Sequence, residues 1–579
     1  MTGAKVLVLG EDTRSFLTVI RSLGKAGHVV DAVCYDNNSP SIHSIYINHL
    51  YLLNYQAYEQ QDWLEQVIQI CRDNLYDAVI PCDERAIFPL AEHADKFPDT
   101  CKLGIPNHEV LQHLFDKEST KALALSCQVP VAKGERLAIK ALGYDKLLNK
   151  FGANFVVKPT LSFTSSNLAT RQKVEIIYTQ ADFERYTQYL SEQDECLVEE
   201  YFTGVGEGLS IFAVKGKIQH AFAHTRVNEP RTGGGSSYRK AIPVDPAMLA
   251  ACQDICTATN YDGVGMFEFK KNMRSKEWIL VEVNARFWGS LPLAVFAGID
   301  FPLHYVQHLL GRYHCHPGVD TNYKTEAYAR SLSNDLYDIK AEFEYDKNNQ
   351  GALSGLATLC KRASTFTRLL RHETIDSYDR QDPKPFYAEC RSFYADTLGA
   401  KVQSRIRVAR DQEMIRLLRA IYVQQQPTIH FVCYGNIMRS PFAEACMRVL
   451  SKEYQLDWQI QSFGFHQNQN RASPTECITC ASQLGLDLGP HRSRCLRQKH
   501  LQAQDIIFIF DTKNQVLLNR YYQYQHCFNL AHFIPSGMGY YNEIVDPYGS
   551  GEKAVKHCYK LITEAIKQIL ESHTRMLSQ

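Results

Sequence analysis

Residues 428–444 read TIHFVCYGNIMRSPFAE and predict a strand, a short anion-binding loop and a helix in succession. Thr428–Val432 is a run of β-branched and aromatic residues, as in a buried strand. Pro441 suits the first turn of a helix. The loop from Cys433 to Arg439 therefore lies between strand and helix, where unpaired backbone N–H groups converge on an anion.

Cys433 and Arg439 bring a nucleophile and a cation to this loop. The field of a helix N-terminus favours the thiolate, which is the reactive form of cysteine. The planar guanidinium of Arg439 can bind two phosphate oxygens at once. Cysteine is also a common small buried residue. A cysteine followed after five residues by Arg-Ser is, by its spacing alone, weak evidence for a catalytic site. The whole string, placed after a strand, predicts phosphoryl transfer through a phosphocysteine.

The string resembles the signature of the low-molecular-weight protein tyrosine phosphatases. Further along the chain, His491-Arg-Ser-Arg494 resembles the H-x-S-R segment of that family, and Asp505–Asp511 is similar to its next buried strand. Asp546-Pro-Tyr548 resembles its D-P-aromatic loop and is followed by a final helix expected at about 552–572. The resemblance covers about residues 426–575 and implies a Rossmann-like parallel α/β phosphatase domain over 426–579.

The resemblance implies a mechanism in two steps. Cys433 attacks phosphorus while Arg439 and the loop amides hold the equatorial oxygens. Asp546 protonates the leaving oxygen and then takes a proton from the water that hydrolyses the phosphocysteine. The implied substrate is a phosphorylated protein or a small aryl phosphate, and the reaction needs no cofactor.

Other residues of the resembling segments support this chemistry. In the family, Ser440 hydrogen-bonds the thiolate, and Asn436 and His491 brace the loop. Tyr434 and Tyr548 are expected to line the mouth of the site, which suits an aromatic phosphoester, although a tyrosine can equally be a packed core residue.

Position 438 departs from many family members. They carry a second loop cysteine that can trap the oxidised nucleophile as a disulfide, whereas this chain has Met438. The thioredoxin-coupled arsenate reductases share the loop but need a further cysteine pair, and about 503–513 contains no cysteine. Phosphatase activity is therefore favoured over arsenate reduction.

The bulk composition excludes several classes of function. The 579 residues include 63 Lys+Arg and 63 Asp+Glu, so nothing favours a nucleic acid or an anionic membrane as partner. The start MTGAKVLVLGEDTR reads as a strand and lacks the apolar core of a signal peptide. The 18 cysteines lack paired spacing, and Cys477-x-x-Cys480 has no second pair to complete a zinc site. We expect a soluble, reduced, cytoplasmic protein.

The first 330 residues alternate strand-like and helix-like segments, which predicts α/β layers. Lys5–Gly10 is expected to be a buried strand, a helix follows at about 13–24, and Asp77–Pro81 is a further strand. No G-x-G-x-x-G fingerprint follows Gly10, so dinucleotide binding is not predicted. Residues 1–112 are expected to form a small doubly wound domain.

From Phe115-Asp-Lys-Glu118 onward, the order of motifs is similar to an ATP-grasp ligase, with an α+β nucleotide-binding domain over 113–325. The resemblance implies that Lys117 and Lys158 hold ATP phosphates beneath the polar loop Ser162–Asn167. It also implies an adenine hinge and a ribose-binding carboxylate, which correspond to Glu199, Glu200, Tyr201, Phe202 and Glu207.

A metal site is predicted from two neighbouring strands. Glu282 and Asn284 are two residues apart, so both face the same side of a strand. Glu268 on an adjacent strand completes a set of oxygen ligands suited to Mg²⁺. Arg286 is then expected to steady the transferred phosphoryl group or an acyl-phosphate. A single carboxylate on a strand edge is often only a solvated charge. The prediction of a metal site therefore depends on the joint order of Glu268, Glu282 and Asn284 along the chain.

ATP-grasp domains activate a small carboxylate as an acyl-phosphate for capture by an amine or another nucleophile. The segments Arg226–Glu229 and Arg231–Ser236 are expected to form the substrate loop. Residues 326–425 are predicted to be a mainly helical connecting region without assigned chemistry, and Gln424–Pro427 precedes the phosphatase strand.

These observations predict a bifunctional protein, with an ATP-grasp ligase followed by a tyrosine phosphatase. One alternative makes the ATP-grasp half a non-catalytic nucleotide-binding regulator of the phosphatase. Another makes the cysteine loop a phosphotyrosine-binding module without turnover. The identities of the carboxylate, the amine and the phosphorylated target do not follow from the sequence.

Overall fold

A computed structural model of the protein describes residues 3–53, 55, 60–159, 174–187, 190, 193–228, 236–395, 410–424, 427–522, 524, 526–539 and 541–578. The polar loop Ser162–Asn167 and residues 229–235 of the predicted substrate loop lie outside these ranges. The chain forms two compact units. The first comprises residues 1–35, 39–52 and 64–393, and the second residues 36–38, 53–63 and 394–579.

The first unit begins with a five-stranded, wholly parallel sheet. Its strands are β1 (Lys5–Gly10), β2 (Val29–Cys34), β3 (Ile47–Leu52), β4 (Ala78–Pro81) and β5 (Lys102–Leu103). The helices of this region are α1 (Ser15–Lys25), α2 (Gln60–Asn74), α3 (Glu84–Glu92) and α4 (His108–Leu114). The strand order is β3-β2-β1-β4-β5. Both faces of β1 are covered, which is why its sequence is a continuous apolar run.

A second, four-stranded antiparallel sheet follows. Its strands are β6 (Gly134–Leu137), β7 (Phe155–Lys158), β8 (Glu175–Ile177) and β9 (Cys196–Glu200). The helices of this segment are α5 (Lys117–Ser126), α6 (Ile139–Leu142), α7 (Tyr144–Phe151) and α8 (Gln180–Thr187). The order β6-β9-β7-β8 puts β7 and β9 side by side in the middle of the sheet, so Lys158 and Glu199 come from adjacent strands.

A seven-stranded sheet completes the first unit. Its strands are β10 (Val205–Val214), β11 (Lys217–Asn228), β12 (Tyr238–Ile242), β13 (Gly263–Lys271), β14 (Trp278–Asn284), β15 (Tyr328–Arg330) and β16 (Glu373–Ile375). Its helices are α9 (Pro246–Ala258), α10 (Leu291–Ala297), α11 (Phe301–Leu309), α12 (Leu332–Gln350), α13 (Ala352–Thr365) and α14 (Lys384–Tyr394). The order is β14-β13-β10-β11-β12-β15-β16, antiparallel except for the parallel pair β15–β16.

The region 326–425 is more than a helical connection. Its strands β15 and β16 extend the seven-stranded sheet, and Arg330 at the end of β15 is fully buried. The Arg330 guanidinium is paired with the carboxylates of Asp335 and Glu373, both buried. Short strands held by buried ion pairs lack the apolar alternation that identifies a strand in sequence, so only the helices were predictable.

The second unit contains a four-stranded parallel sheet, as predicted for residues 426–579. Its strands are β17 (Thr428–Cys433), β18 (Gln459–Gly464), β19 (Ile506–Ile509) and β20 (His526–Asn529). Its helices are α15 (Arg410–Tyr422), α16 (Arg439–Glu453), α17 (Thr475–Ser482), α18 (Thr512–Tyr521) and α19 (Glu552–Ser578). The order β18-β17-β19-β20 places β17, which ends at Cys433, between two neighbours.

The core of the second unit reaches upstream of the predicted boundary at 426. Leu417 and Ile421 of α15 are almost fully buried in the same cluster as Ile429, Phe442 and residues of α19. The final helix is six residues longer than predicted and ends at Ser578. All 18 cysteines are free thiols. Within the described ranges, no helix combines the length and the apolar character needed to cross a membrane.

Candidate active sites

Cys433 lies at the carboxyl end of β17, at the start of the loop that leads into α16. Its Sγ is 3.0 Å from Ser440 Oγ and accepts a hydrogen bond from the Asn436 backbone N–H at 3.3 Å. The Cys433 side chain is buried, with the residue 3% exposed. A hydroxyl and a backbone N–H aimed at one sulfur stabilise a thiolate.

Asn436 holds the loop in shape from its centre. It has a φ of 51°, in the left-handed region that asparagine tolerates better than most residues. Its Nδ2 donates to Ser440 Oγ and to Ser462 Oγ, each at 2.9 Å. Its Oδ1 accepts from the Arg494 backbone N–H at 2.7 Å. A side chain at Gly464 would come within 2.8 Å of the Asn436 backbone nitrogen, so this neighbouring position requires glycine.

His491 contacts the same loop from outside. Its Nε2 lies 2.8 Å from the Asn436 carbonyl oxygen. Burial lowers the pKa of His491, and the hydrogen bond to Asn436 opposes this shift only in part. Because a carbonyl oxygen only accepts, His491 Nε2 is the donor of this hydrogen bond, and the structure brings His491 and Asn436 together with Cys433.

Arg439 is 1% exposed and is held by two carboxylates. Its Nη2 donates to Asp546 Oδ2 and its Nη1 to Asp511 Oδ2, both at 2.6 Å, and Nη1 also donates to the Ile544 carbonyl at 2.9 Å. Burial acts to lower the pKa of Arg439, but Cys433, Asp546 and Asp511 outweigh it and the net shift is upward. Arg439 is thus charged and fixed in orientation beside Cys433.

Asp511 was not predicted as a site residue. It caps α18, where its Oδ1 accepts from the Asn514 backbone N–H at 2.7 Å, and its other oxygen binds Arg439. The available signal was an aspartate between a buried strand and a helix, which indicates an N-cap but does not indicate contact with Arg439.

A separate pocket in the first unit collects three lysines. Lys158 Nζ lies 2.6 Å from Glu199 Oε2, and Lys121 Nζ lies 3.0 Å from Glu199 Oε1. Lys117 Nζ donates to the Pro159 carbonyl at 3.0 Å. These four side chains line one pocket with Glu282 and Asn284. Lys121 escaped prediction, although it follows Lys117 by one turn of α5 and therefore faces the same side.

Four residues predicted to contact nucleotide lie outside the lining of this pocket: Glu200, Tyr201, Phe202 and Glu207. Lys270 Nζ lies 4.7 Å from the Tyr201 ring centroid and 3.4 Å from the Phe202 carbonyl oxygen. Burial raises the pKa of Glu207, and Lys271 partly opposes this shift. Tyr201, Phe202 and Glu207 are therefore grouped around Lys270 and Lys271.

The predicted metal ligands lie on adjacent strands. Glu268 of β13 pairs in register with Glu282 of β14. Asn284 Nδ2 donates to Glu282 Oε1 at 3.1 Å, whereas Glu268 Oε2 accepts from Arg226 Nη2 at 2.7 Å. Glu282 and Asn284 line the pocket, and Glu268 does not.

Arg286 follows β14 and lies at the edge of the same group. Its Nη2 donates to Asn284 Oδ1 at 3.0 Å, and its Nε donates to Glu84 Oε1 at 3.1 Å. Burial acts to lower the pKa of Arg286, but Glu84, Asp83 and Glu282 raise it overall.

Two family models match separate parts of the chain. Residues 428–578 match the family described as low molecular weight phosphotyrosine protein phosphatase. Residues 192–330 match the family described as ATP-grasp in the biosynthetic pathway with Ter operon. The chain carries a phosphatase domain and an ATP-grasp domain. Both predicted resemblances, and the multi-domain α/β fold class, are thereby confirmed.

Individual relatives cover the phosphatase domain. The protein-arginine-phosphatase of Bacillus subtilis is 22% identical over 143 residues, which are 24% of this chain and 93% of that protein. A low molecular weight protein-tyrosine-phosphatase of Streptomyces coelicolor is 26% identical over 149 residues, 24% of this chain and 89% of that protein. Among solved structures, N5-carboxyaminoimidazole synthetase from Staphylococcus aureus complexed with ADP is similar in fold, with a TM-score of 0.45 and 16% sequence identity. The alignment covers 60% of this chain and 87% of the synthetase chain.

The donor set of the ATP-grasp domain fits a hard divalent cation. Glu282, Asn284 and Glu268 offer only oxygen ligands apart from the amide nitrogen, which suits Mg²⁺ rather than a soft metal. Glu268 is engaged by Arg226. Within the described ranges, no cluster of three or more His, Cys, Asp and Glu residues has metal-holding geometry. Of the three predicted ligands, Glu282 and Asn284 line the pocket.

Proposed function

We propose that the phosphatase domain hydrolyses phosphotyrosine-type phosphomonoesters through a phosphocysteine. The observation that carries this proposal is the geometry of Cys433, whose sulfur is contacted by Ser440 and the Asn436 amide beside a guanidinium held by two carboxylates. A bound phosphoryl group would replace Asp546 as the partner of Arg439 Nη2. Asp546 would then be released next to the leaving oxygen.

In this mechanism each residue has one task. The Cys433 thiolate attacks phosphorus, while Arg439 and the loop N–H groups hold the equatorial oxygens. Asp546 gives its proton to the leaving oxygen and later accepts one from the attacking water. Ser440 stabilises the thiolate when it leaves, and Asp511 keeps Arg439 oriented throughout.

A leaving-group comparison tests this assignment. The wild-type protein and Asp546→Asn should be assayed with phenyl phosphate and with p-nitrophenyl phosphate. Phenolate is a poorer leaving group than p-nitrophenolate, so it depends more on protonation by Asp546. Asp546→Asn should therefore slow the hydrolysis of phenyl phosphate by roughly 10²–10³-fold and that of p-nitrophenyl phosphate by much less. Absence of turnover by the wild type would leave only the non-catalytic phosphotyrosine-binding alternative. Because one relative is named a protein-arginine-phosphatase, a phosphoarginine peptide belongs in the same assay.

We further propose that the ATP-grasp domain is a Mg²⁺-dependent ligase that activates a small carboxylate as an acyl-phosphate for capture by an amine. Support comes from one pocket that is lined by Lys117, Lys121, Lys158, Glu199, Glu282 and Asn284, in which Lys121 and Lys158 are paired with Glu199. The lysines would bind ATP phosphates, and Arg286 would steady the transferred group. Mg²⁺ held by Glu282 and Asn284, with Glu268, would neutralise charge that develops on the phosphates.

A substrate screen tests the ligase. ADP release by the Cys433→Ser protein should be measured with Mg²⁺-ATP and pools of amino acids and small carboxylates. A ligase releases ADP only when a suitable pool is present, and Glu282→Gln abolishes that increment. Tight ATP binding with no pool-dependent release would support the regulatory alternative instead.

A further inference from the structure

Two cations flank the mouth of the phosphatase site, from opposite sides of the nucleophile strand. β17 ends at Cys433 and lies between β18 and β19 in the sheet. The segment after β18 carries Arg471, and α18 after β19 carries Lys513. Because residues beyond the carboxyl ends of neighbouring parallel strands meet at one edge, both cations lie at the edge where Cys433 reacts.

Arg471 is tied to the cysteine loop. Its Nη2 donates to the Gly435 carbonyl at 2.6 Å, and its Nε donates to the Asn468 carbonyl at 2.9 Å. Burial lowers the pKa of Arg471, while Cys433, Tyr548 and Tyr434 act to raise it. The guanidinium is therefore within electrostatic range of the nucleophile and of both mouth tyrosines.

Lys513 approaches from the other side. Its Nζ lies 4.1 Å from the ring centroid of Tyr434, the residue that follows Cys433. Tyr434 is 38% exposed and also meets the edge of the His466 ring at 5.7 Å. An exposed tyrosine between a lysine and a histidine forms an aromatic wall with a cationic side.

The nearby carboxylates are already engaged with other groups. Asp511 and Asp546 bind Arg439, and Glu543 accepts from the Thr512 backbone N–H at 2.9 Å. Neither Arg471 nor Lys513 is used by the phosphocysteine mechanism. Their charges remain to act on whatever flanks the phosphoryl group.

From this arrangement we propose that Arg471 and Lys513 are specificity-determining residues that select acidic phosphopeptides, in which Asp or Glu flanks the phosphorylated tyrosine on both sides. This inference depends on the proposed phosphatase function. A peptide crossing the mouth would place one flanking residue near the segment after β18 and the other near α18. A small aryl phosphate would leave both cations without a partner from the substrate.

The test compares two matched phosphotyrosine peptides on the full chain, one with Asp and Glu beside the phosphotyrosine and one with Asn and Gln there. The readout is the ratio of their kcat/KM values. An exposed ion pair changes binding about threefold to fivefold, so two pairs predict a ratio of roughly tenfold at low salt. The ratio should fall toward one at 0.5 M salt because exposed charges are screened.

Lys513→Gln and Arg471→Gln should each lower the ratio about threefold, and Arg471→Lys should retain part of it. Lys513 is exposed, so its replacement leaves the fold intact. Lys452→Gln is the matched control for net charge. It lies at the opposite end of α16 from Arg439, roughly 20 Å away at 1.5 Å per residue, and should leave the ratio unchanged.

The possible outcomes separate this inference from the phosphatase assignment. A ratio of one in the wild type, or a ratio that neither variant alters, overturns the specificity proposal while phenyl phosphate is still hydrolysed. Failure to hydrolyse phenyl phosphate and both peptides overturns the phosphatase assignment and this inference together. The specificity proposal is supported if the wild type prefers the acidic peptide, if this preference falls in Lys513→Gln and in Arg471→Gln, and if it persists in Lys452→Gln.

Discussion

In the phosphatase domain the nucleophile and the side chains that contact it come from one short loop, whereas the ATP-grasp pocket is lined by elements more than a hundred residues apart. Cys433, Asn436, Arg439 and Ser440 lie within eight consecutive residues. The ATP-grasp pocket instead joins Lys117 of α5, Lys158 of β7, Glu199 of β9 and Glu282 of β14. A local site is formed by one strand–loop–helix unit, while a dispersed site requires that two sheets are assembled correctly.

The two sites also differ in how they balance charge. In the phosphatase site one buried arginine is shared by Asp511 and Asp546. In the ATP-grasp pocket one buried glutamate is shared by Lys121 and Lys158. The first arrangement leaves a negative excess around Arg439, so a phosphoryl group bound as we propose would displace a carboxylate. The second leaves a local positive excess around Glu199, while Glu84 and Glu282 add negative charge elsewhere in the pocket lining.

The largest expected effect is the loss of phosphatase activity in Cys433→Ser. A serine hydroxyl is a far weaker nucleophile than a thiolate at neutral pH, so kcat for p-nitrophenyl phosphate should fall by about 10³-fold or more. ADP release by the same protein should be unchanged if the two sites act separately. A parallel loss of ADP release would show that the two chemistries are coupled.

Glu282→Gln provides the reciprocal test in the ATP-grasp domain. The change removes one negative charge from the pocket but keeps the shape and the hydrogen bond from Asn284. We expect Mg²⁺-dependent ADP release to fall roughly 10²-fold, as for loss of a preorganised electrostatic group. The phosphatase rate serves as the internal control for folding, and Glu277→Gln on the exposed surface is the matched control variant.

Acid sensitivity of the first unit should arise in part from a stacked histidine pair. His220 and His304 rings are 4.1 Å apart and nearly parallel. The pKa of His220 is lowered from the ordinary value of 6.5 to about 4. Burial is the largest cause, and the neighbouring His304 ring is the second. Below pH 6.5 the unfolded chain therefore binds more protons at His220 than the folded chain does. The contribution of neutral His220 to the free energy of unfolding is complete above pH 6.5 and is lost as the pH falls toward 4.

At pH 5 this His220 contribution amounts to a loss of roughly 2 kcal/mol, about 30-fold in the unfolding equilibrium. Urea unfolding at pH 7 and pH 5 should show a smaller pH dependence in His220→Phe, which keeps an aromatic ring in the stack. An equal pH dependence in the variant would assign the acid sensitivity to other groups, such as His224, whose pKa burial lowers to about 3.

Among these comparisons of the two domains, the smallest effect is expected for Asp511→Asn. The amide keeps the cap on α18 but loses the charge that orients Arg439, while Asp546 still binds its other nitrogen. We expect kcat/KM for aryl phosphates to fall about tenfold because Arg439 is less firmly oriented. A change of 10²-fold or more would show that Asp511 acts on the reaction more directly.

Much of the phosphatase site was predictable because its residues are close in sequence. The strand from Thr428, the loop from Cys433 and the position of Pro441 in the first turn of α16 all follow from local propensity. Asp511 was missed because its contact with Arg439 joins residues 72 positions apart. Nothing in local sequence distinguishes a capping aspartate that also binds a buried arginine from one that does not.

The ATP-grasp pocket was predictable only in outline. Register between β13 and β14 makes Glu268 and Glu282 direct neighbours, as their strand positions suggested. Lys121 was missed because a lysine on an amphipathic helix is usually solvated, and only the packing of α5 beside β14 and β9 buries it against Glu199. The placement of Glu200, Tyr201, Phe202 and Glu207 outside the pocket lining also depends on that packing.

By itself, the sequence determined the alternation of strands and helices in the first 330 residues, the nucleophile loop and the resemblance to both families, because these depend on local propensity and on residues with fixed short spacing. Only the tertiary structure decided which distant charges meet. The pairing of Arg439 with Asp511, the joining of β15 and β16 to the large sheet, and the positions of Arg471 and Lys513 on either side of Cys433 all result from strand order. Strand order is set by long-range packing, which no local pattern encodes.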